Sequence, residues 1–181
     1  MNFDRKSVLA ASEKLAIDLA KRIGDHKVIN DSDILEGLSR DESHCEPIMP
    51  DFAVRATCEE DVVATLEEAL RFGVPVTPRA AGTGKAGGAI PYFGGVVLDV
   101  SKMTKIVGID PMNRTALVEP GCITGSFQAA VEAEGLFYPP DPNSWETCSL
   151  GGNVAHNAGG PRAFKYGVTR EYVRGIDMVL M

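Results

Sequence analysis

Apolar residues recur at helical spacing in two stretches of the chain, which cover residues 6–23 and 62–70. A third helix is predicted from Thr124, which can cap it, to about Glu134. A glycine follows each of the three stretches within a few residues, and a glycine in this place favours a left-handed helix end. The pattern therefore predicts three helices, each of which packs its apolar face against another part of the fold.

The second of these helices follows a sequence typical of a capping box. In Thr57-Cys58-Glu59-Glu60, the Thr57 side chain can accept the N–H of Glu60, and the Glu60 side chain can reach back to Thr57. Phe52–Val54 before the helix and Val74–Val76 after it are predicted strands. This strand–helix–strand order favours parallel strands joined by a right-handed crossover.

Three further segments are predicted strands. Gly95–Val100 is an almost continuous apolar run, which is typical of a strand buried on both faces. Ile106–Ile109 and Ala116–Val118 predict a strand pair. Residues 31–50 carry many polar side chains and two prolines, and they predict an irregular segment.

Residues 173–181 are strand-like as far as the last residue. An apolar strand that stops without a turn or a polar tail would leave an exposed sheet edge, which invites aggregation. We therefore expect this run to belong to the N-terminal part of a longer protein or to a split subunit. The alternative is a small protein whose last strand pairs inside the fold.

The composition argues against several classes of function. The chain has 181 residues, 44% of them hydrophobic, which is enough for one core or for two small lobes that share one. Its net charge of −7 argues against non-specific nucleic-acid binding, which needs basic patches. No apolar run approaches the ~20 residues of a membrane-spanning helix, and the N-terminus lacks the apolar core of a signal peptide.

The cysteines are Cys45, Cys58, Cys122 and Cys148, and they lie far apart in the sequence. The absence of a Cys-x-x-Cys pair argues against zinc and iron–sulfur sites, and no metal site is predicted. Because no export signal is recognised, we expect reduced thiols and a cytoplasmic protein.

A glycine-rich loop from Pro78 to Gly88 follows the strand predicted at Val74–Val76. It contains Gly82-Thr83-Gly84-Lys85-Ala86-Gly87, the G-x-G-x-x-G pattern of a Rossmann nucleotide site. That site needs a helix directly after the motif to receive the pyrophosphate, but here the next strand starts at about Val96. The Rossmann interpretation therefore fails. The P-loop interpretation also fails, because its first glycine and its Ser/Thr are replaced in this chain.

The same loop can bind phosphate without a helix. Successive N–H groups in a turn can form an anion-binding nest. Thr83 offers a hydroxyl group, and Arg79 can either offset phosphate charge or form a surface ion pair. The alternative is an ordinary flexible loop that joins two strands.

A second stretch predicts the same kind of ligand. Pro139-Pro140-Asp141-Pro142 is a rigid turn, since proline fixes the backbone in advance. Cys148–Gly160 is rich in glycine and asparagine and almost uncharged. Glycines let backbone N–H groups approach a ligand closely, and asparagines add neutral donors and acceptors. These features predict a surface for a flat, phosphorylated cofactor with polar edges.

Several segments together resemble the FAD-linked oxidase family from about Ile48 to the last residue. They are residues 74–84, 95–103, 118–121, 135–142, 149–155, 157–160 and 165–167. This family includes D-lactate dehydrogenases, D-2-hydroxyglutarate dehydrogenases and the flavin subunit of glycolate oxidase. It shares the α+β FAD-binding fold of vanillyl-alcohol oxidase and p-cresol methylhydroxylase.

The resemblance implies two α+β lobes that clamp FAD between them. The first would cover residues 47–118 and the second, incomplete at its C-terminal end, residues 119–181, after a lead-in at residues 1–46. The glycine-rich loop would cradle the pyrophosphate, and the second stretch would line the flavin and its ribityl chain. The implied cofactor-binding residues are Pro78, Arg79, Ala80, Ala81, Gly82, Thr83, Gly84, Pro140, Asp141, Ser149, Gly151, Gly152, Asn153, Asn157, Ala158 and Gly159.

Two details qualify this set. Family members that attach FAD covalently through the loop use a histidine there, and none lies between Arg79 and Gly88, so non-covalent FAD is expected. Asp141 can hydrogen-bond the cofactor or cap the proline turn, and the sequence leaves both roles open.

The implied function is the FAD-binding portion of an enzyme that takes a hydride from a 2-hydroxy acid such as lactate, glycolate or 2-hydroxyglutarate. The substrate domain and its catalytic residues would lie beyond residue 181, so the chain alone is expected to be inactive. A partner redox subunit or a homo-oligomer is a further expectation. The alternatives are another flavoenzyme on this fold, such as an aldonolactone oxidase or a cell-wall sugar reductase, and a non-catalytic module that keeps the fold without the cofactor.

Overall fold

The computed structural model describes residues 4–181, so the first three residues of the predicted lead-in at 1–46 lie outside the described residues. The chain divides into two compact units. The first comprises the described residues up to Lys102 together with Met178–Met181, and the second comprises Met103–Asp177. The lobe boundary expected between residues 118 and 119 stays a prediction.

Three α-helices form in the described part of the first unit. They are α1 (Arg5–Ile23), α2 (Ser32–Leu38) and α3 (Glu59–Phe72). The predictions of α1 and α3 are confirmed, and Gly24 and Gly73 follow them with φ angles of 100° and 66°. Side chains other than hydrogen are strained at such angles, which explains why glycine marks both helix ends.

The short helix α2 corrects the prediction of an irregular segment over residues 31–50. Asp31 caps this helix, because its carboxylate accepts hydrogen bonds from the N–H groups of Asp33 at 3.0 Å and Ile34 at 3.1 Å. The helix has seven residues and buries Leu35. Since periodicity needs several apolar positions to be visible, so short a helix leaves no clear pattern in the sequence.

The first unit also contains a four-stranded sheet among its described residues. Its strands are β1 (Val28–Ile29), β2 (Phe52–Arg55), β3 (Val76–Arg79) and β4 (Val96–Asp99). The order is β1-β2-β4-β3, with β1 antiparallel to β2 and with β4 parallel to both β2 and β3. The two strands of the predicted strand–helix–strand unit, β2 and β3, therefore run parallel to each other, but β4 lies between them.

The central strand β4 is the most buried element of the sheet. All of its residues are buried, as its apolar sequence predicts, and Val96 and Val97 are fully inaccessible. Phe52 of β2 and Leu15 and Leu19 of α1 are also fully buried. Burial of side chains of this size contributes about 1.5–3 kcal/mol each to stability. Because the buried side chains hold the parallel strands in place, the loops that follow these strands begin at fixed positions.

The predicted capping box at Thr57 is wrong. Cys58 is the N-cap residue of α3, and its side chain makes no capping hydrogen bond. Instead, the Asp61 carboxylate accepts hydrogen bonds from the N–H and the hydroxyl of Thr57 at 2.9 and 3.0 Å. It also accepts from Nζ of Lys27 at 2.7 Å. Asp61 accepts hydrogen bonds from more donors than the predicted partner Glu60 would, because Lys27 approaches Asp61 from a distant part of the chain.

The second unit, Met103–Asp177, contains one strand pair and three α-helices. Strand β5 (Ile106–Asp110) pairs antiparallel with β6 (Thr115–Val118), which confirms the predicted pair. The helices are α4 (Thr124–Ala133), α5 (Leu150–His156) and α6 (Ala163–Tyr166). The prediction of α4 is confirmed, but the capping role predicted for Thr124 is wrong, because Thr124 is the first residue of the helix and Ile123 occupies the N-cap position.

One apolar cluster joins the strand pair to α4 and α5 in this unit. Its buried members are Cys122, Phe127, Val131 and Leu150. Ile106, Ile109, Val118, Leu136 and Tyr138 pack against it. Burial raises the pKa of Tyr138 to about 12, so this phenol stays neutral in the folded protein at all ordinary pH values.

Residues 173–181 form no strand, contrary to the prediction. Within residues 4–181 no neighbouring strand pairs with them, and most of their side chains are exposed. A strand is defined by hydrogen bonds to a neighbour, so a suitable apolar pattern is not sufficient to form one. Among the helices of residues 4–181, none combines the length and the apolar character that crossing a membrane requires.

We predict that Asp61→Asn lowers the free energy of unfolding by about 2–4 kcal/mol at neutral pH, because it removes the charge partner of a mostly buried Lys27. Burial alone would raise the pKa of Asp61, but the hydrogen bonds from Lys27 and Thr57 outweigh it and lower the pKa. The contribution is therefore present above the pKa of the unfolded chain and is lost as the pH falls through the lower folded value. Urea unfolding of both proteins from neutral to strongly acidic pH should show their difference shrinking.

The matched control is Asp18→Asn, which removes surface ion pairs with Lys21 and Arg71. Its effect should stay below about 0.5 kcal/mol. An Asp61→Asn protein as stable as the wild type at neutral pH would contradict the prediction.

Candidate functional site

The glycine-rich loop begins where β3 ends, with Pro78 and Arg79 as the last residues of the strand. Between β3 and β4 the chain forms turns and no helix, which confirms that the G-x-G-x-x-G pattern does not open a Rossmann helix. Gly82 and Gly87 have φ angles of 71° and 76°. These positive angles turn the chain sharply and favour glycine at both positions.

The loop carries main-chain N–H groups without hydrogen-bond partners. The N–H groups of residues 80–84 donate to no other group in the part of the chain that the structure describes, and these residues are half-buried. Backbone donors shielded from solvent are normally paired in folded proteins. Consecutive unpaired donors in a turn therefore suit the oxygens of a phosphate group.

The Arg79 guanidinium binds main-chain oxygens, which excludes the surface ion pair that the sequence left open. It donates hydrogen bonds to the carbonyl oxygen of Arg40 at 2.6 Å and to that of Gly37 at 3.4 Å. Burial lowers the pKa of Arg79, and the negative charges of Asp99 and Asp41 offset part of this effect. The group therefore remains a cation at the base of the loop.

The second predicted stretch is largely helical, since α5 occupies most of it. The sequence did not indicate this helix, because adjacent glycines disfavour one. Ser149 is the N-cap residue, and its Oγ accepts the N–H of Gly152 at 3.3 Å. The N–H of Gly151 donates to the carbonyl oxygen of Pro120 at 2.8 Å, and a Cβ on Gly151 would lie 2.8 Å from the same oxygen. Gly151 thus permits close packing against Pro120.

Asn153 belongs to a buried polar cluster. Its Nδ2 donates to Oγ1 of Thr124 at 2.7 Å, and the N–H of Thr124 donates to the carbonyl oxygen of Cys148 at 3.0 Å. The cluster joins the first turn of α4 to α5 and to the residue that precedes its cap. Sequence reasoning assigned Thr124 only a possible capping role, because the contact depends on how the two helices pack.

Asn157 and Ala158 fasten the end of α5 to the 3₁₀ turn at Thr169–Tyr172. Asn157 ends the helix with a φ angle of 50°, and its Oδ1 accepts the N–H of Arg170 at 3.0 Å. The carbonyl oxygen of Ala158 accepts the N–H of Thr169 at 3.1 Å and its hydroxyl at 2.7 Å. These two predicted site residues are therefore held in fixed positions by their own hydrogen bonds.

The proline turn is held by two contacts within the second unit. The carbonyl oxygen of Pro140 accepts Nε2 of Gln128 at 2.8 Å. The Asp141 carboxylate accepts the N–H of Arg162 at 3.0 Å and lies 3.3 Å from its Nε. A side chain on Gly160 would collide with the carbonyl oxygen of Asp141. The structure thus pairs Asp141 with Arg162, a partner that the sequence did not suggest.

A cavity of about 400 Å³ adjoins this turn. It is lined by Gly125, Gln128, Ala129, Glu132, Asp141, Trp145 and Arg162. Apart from Asp141, sequence reasoning did not predict these residues as a site, because nothing in their spacing connects α4 with the turn.

The predicted site residues fall into two groups, one in each compact unit. Residues 78–84 form one continuous loop in the first unit, and its unpaired N–H groups fit a cofactor that carries phosphate. The predicted residues between Pro140 and Gly159 lie in the second unit, around α5 and the proline turn. Within residues 4–181, no group of three or more His, Cys, Asp or Glu side chains is arranged to hold a metal ion.

This combination defines a cofactor-binding domain of mixed α-helical and β-strand structure. Residues 50–181 match the family described as FAD binding domain, and the chain belongs to this family, whose cofactor is FAD. Its fold is that of the vanillyl-alcohol oxidase and p-cresol methylhydroxylase type.

Curated relatives are flavin-linked enzymes of greater length. The chain is 45% identical over 132 residues to glycolate oxidase subunit GlcD of Bacillus subtilis, with 73% of this chain and 28% of that protein covered. It is 39% identical over 165 residues to D-lactate dehydrogenase of Anaerostipes hadrus, with 91% and 34% covered. It is 34% identical over 154 residues to D-2-hydroxyglutarate dehydrogenase of Stutzerimonas stutzeri, with 84% and 33% covered. The chain thus spans about a third of the length of these relatives.

Solved structures share the fold at lower identity. Alkyldihydroxyacetonephosphate synthase matches with a TM-score of 0.79 at 20% identity, over 88% of this chain and 32% of that chain. p-Cresol methylhydroxylase with substrate bound matches with a TM-score of 0.72 at 27% identity, over 82% of this chain and 30% of that chain. These matches confirm the fold class that the sequence predicts.

We predict that Gly82→Ala lowers the free energy of unfolding by about 1–2 kcal/mol and weakens FAD binding, because a Cβ is strained at this positive φ angle. The added Cβ would also overlap the Arg79 guanidinium. Urea unfolding and a fluorescence titration with FAD measure the two effects.

Gly37→Ala is the matched control. A Cβ at Gly37, which lies in α2, meets no atom within 4 Å. This variant should be as stable as the wild type or slightly more stable, and it should bind FAD equally well. If Gly82→Ala behaved like Gly37→Ala in both measurements, the conformational requirement at Gly82 would be refuted.

Proposed function

We propose that this chain is the FAD-binding portion of a flavin-dependent dehydrogenase or oxidase that oxidises a 2-hydroxy acid. The observation that carries the proposal is the run of unpaired main-chain N–H groups at residues 80–84 in a member of the FAD binding domain family. The names of the relatives, glycolate oxidase, D-lactate dehydrogenase and D-2-hydroxyglutarate dehydrogenase, support the substrate class.

In this proposal, residues 78–84 hold the pyrophosphate of FAD. The N–H groups of the loop donate to its oxygens, and hydrogen bonds to an anion are stronger than those between neutral groups. Arg79 lies at the base of the loop, where its guanidinium binds main-chain carbonyl oxygens. Because the turns are already shaped by glycines at positive φ angles, little conformational entropy is lost when the ligand binds.

The proposed flavin-lining residues are those of the second unit. They are Pro140, Asp141, Ser149, Gly151, Gly152, Asn153, Asn157, Ala158 and Gly159. Their role is to present a rigid, uncharged backbone surface to the ribityl chain and the ring. The hydrogen bonds around Asn153 and Asn157 support this role, since they hold the backbone in place without the ligand.

We further propose that FAD is bound without a covalent link through the loop. No histidine lies between Arg79 and Gly88, and this stretch has no cysteine or tyrosine either. The loop therefore lacks the histidine through which covalent members of the family attach FAD, and it offers main-chain donors instead.

Bound FAD would accept a hydride from the α-carbon of the substrate, which leaves a 2-oxo acid once the hydroxyl proton has gone to a base. No residue of this chain is proposed as that base. Because the chain covers only 28–34% of the relatives named above, we propose that the base and the substrate pocket belong to the remaining part of such a protein. The task of this chain is to bind and orient the cofactor.

The proposed location is the cytoplasm, since all four cysteines, which lie within the described residues, are free thiols. A partner redox subunit is also proposed, with a homo-oligomer as the alternative. The name glycolate oxidase subunit, which the Bacillus subtilis relative carries, supports the first of these.

We predict that the purified chain binds FAD, that ADP competes with FAD, and that riboflavin at the same concentration does not. ADP carries the pyrophosphate that the loop would hold, whereas riboflavin carries none. Fluorescence titration measures the competition. Acid precipitation should release all of the flavin into the supernatant if the link is non-covalent.

The substrate class is measured on the complete gene product, where glycolate, lactate or 2-hydroxyglutarate should bleach the visible absorbance of the flavin. Bleaching by an aldonolactone alone would favour another flavoenzyme on this fold. A protein that ignores FAD at every concentration would contradict the proposal and favour a non-catalytic module.

A further inference from the structure

A short segment before the family domain is attached to the glycine-rich loop. We call residues 37–42 the strap; it begins in the last turn of α2 and precedes the family match, which starts at residue 50. The N–H of Glu42 donates to the carbonyl oxygen of Gly84 at 3.0 Å, and Nζ of Lys85 lies 3.3 Å from Oε2 of Glu42. The loop is thus tied to the strap at its far end.

Arg79 ties the near end of the loop to the same strap. Its guanidinium donates to the carbonyl oxygens of Arg40 and Gly37, at 2.6 and 3.4 Å. These oxygens lie at and just beyond the C-terminal end of α2, where helix carbonyls lack partners within the helix and favour a cation. The arginine therefore supplies two donors to groups that need them.

The guanidinium also lies directly against the loop backbone. A Cβ built on Gly82 would overlap Nη2 and Cζ of Arg79. The planar group thus fills the space beside Gly82, while the N–H groups of residues 80–84 stay unpaired. With donors on both Nη atoms engaged by carbonyl oxygens of the strap, the side chain can hold the loop in place.

We infer that Arg79 is a positioning residue, which clamps the cofactor loop to the strap so that the N–H groups of residues 80–84 stay available for the cofactor phosphates. This inference rests on the proposed function, in that the ligand of the loop is taken to be FAD. It assigns residues 37–42, outside the family match, a part in shaping the cofactor site. It also opposes the simpler view that Arg79 binds a phosphate directly with its guanidinium.

The test uses Arg79→Gln in the whole chain. In the absence of FAD, exchange of the Glu42 amide hydrogen, followed by NMR, should become at least about tenfold faster, because the loop that accepts this hydrogen bond is released. The affinities for FAD and for ADP should both fall by about tenfold to a hundredfold, the range expected for losing hydrogen bonds from a charged group. The affinity for riboflavin should not change.

Salt dependence separates the clamp from a direct phosphate contact. If Arg79 acts through the loop, the affinity of Arg79→Gln for FAD should fall with ionic strength as steeply as that of the wild type. A direct ion pair with phosphate would instead lose part of this dependence when the charge is removed. A flatter salt dependence together with unchanged Glu42 exchange would overturn the inference.

The matched control is Arg40→Gln. The side chain of Arg40 pairs with Glu36 on the surface, while its carbonyl oxygen receives the Arg79 hydrogen bond. This variant removes a guanidinium from the strap and leaves the clamp intact, so Glu42 exchange and FAD affinity should match the wild type. Faster Glu42 exchange and weaker FAD binding in Arg40→Gln would show that removing either guanidinium loosens the loop, so the effect would not be specific to the Arg79 clamp and the inference would be overturned.

If circular dichroism shows that Arg79→Gln does not fold, Arg79→Lys decides the question. Lysine keeps the charge but lacks the planar fork that reaches two carbonyls, so it should still speed Glu42 exchange and weaken FAD binding. Wild-type behaviour of Arg79→Lys would overturn the inference. If the wild-type chain itself failed to bind FAD, the proposed function would fall, and Glu42 exchange would still report whether Arg79 clamps the loop.

Discussion

The candidate site in the first unit depends on the buried carboxylate of Asp99. Asp99 ends β4 in register with Arg55 on one neighbouring strand and Arg79 on the other. Its Oδ2 lies 3.2 Å from Nε of Arg55, its Oδ1 accepts the N–H of Ser101 at 2.8 Å, and its charge raises the pKa of Arg79 against the effect of burial. Because the carboxyl ends of parallel strands meet at one sheet edge, a single carboxylate can balance two arginines there. Without it, Arg79 would be a half-buried cation stabilised only by carbonyl dipoles and by the charge of Asp41.

Residues 80–84 of the loop after β3 are held by groups other than their own N–H donors. Its attachments use the carbonyl oxygen of Gly84, the side chain of Lys85 and the side chain of Arg79. A loop fixed in this way keeps its backbone donors available and does not need to break internal hydrogen bonds when an anion binds. This is a form of preorganisation, since the cost of shaping the loop is met during folding.

The second unit uses its polar residues differently. Ser149 caps α5, Asn153 bonds to Thr124, and Asn157 bonds to the backbone of Arg170. These residues suggested ligand donors and acceptors in the sequence, and in the structure each also holds a backbone segment in place. Gly151 likewise permits the contact between α5 and Pro120.

The sequence by itself determined the elements that depend on near neighbours. It predicted α1 and α3 from apolar positions at helical spacing, α4 from the residues at its two ends, and β4 from a continuous apolar run. It also excluded a helix after Gly84, because the spacing to β4 leaves no room. Only the tertiary structure decided the features that depend on distant partners. Lys27 made Asp61 the partner of Thr57 in place of Glu60, α4 and α5 brought Thr124 to Asn153, and the strap turned Arg79 towards carbonyl oxygens. Residues 173–181 carry a strand pattern and pair with no strand in the described chain, for the same physical reason: a local pattern states what a segment can form, and hydrogen bonds from elsewhere in the fold decide what it does form.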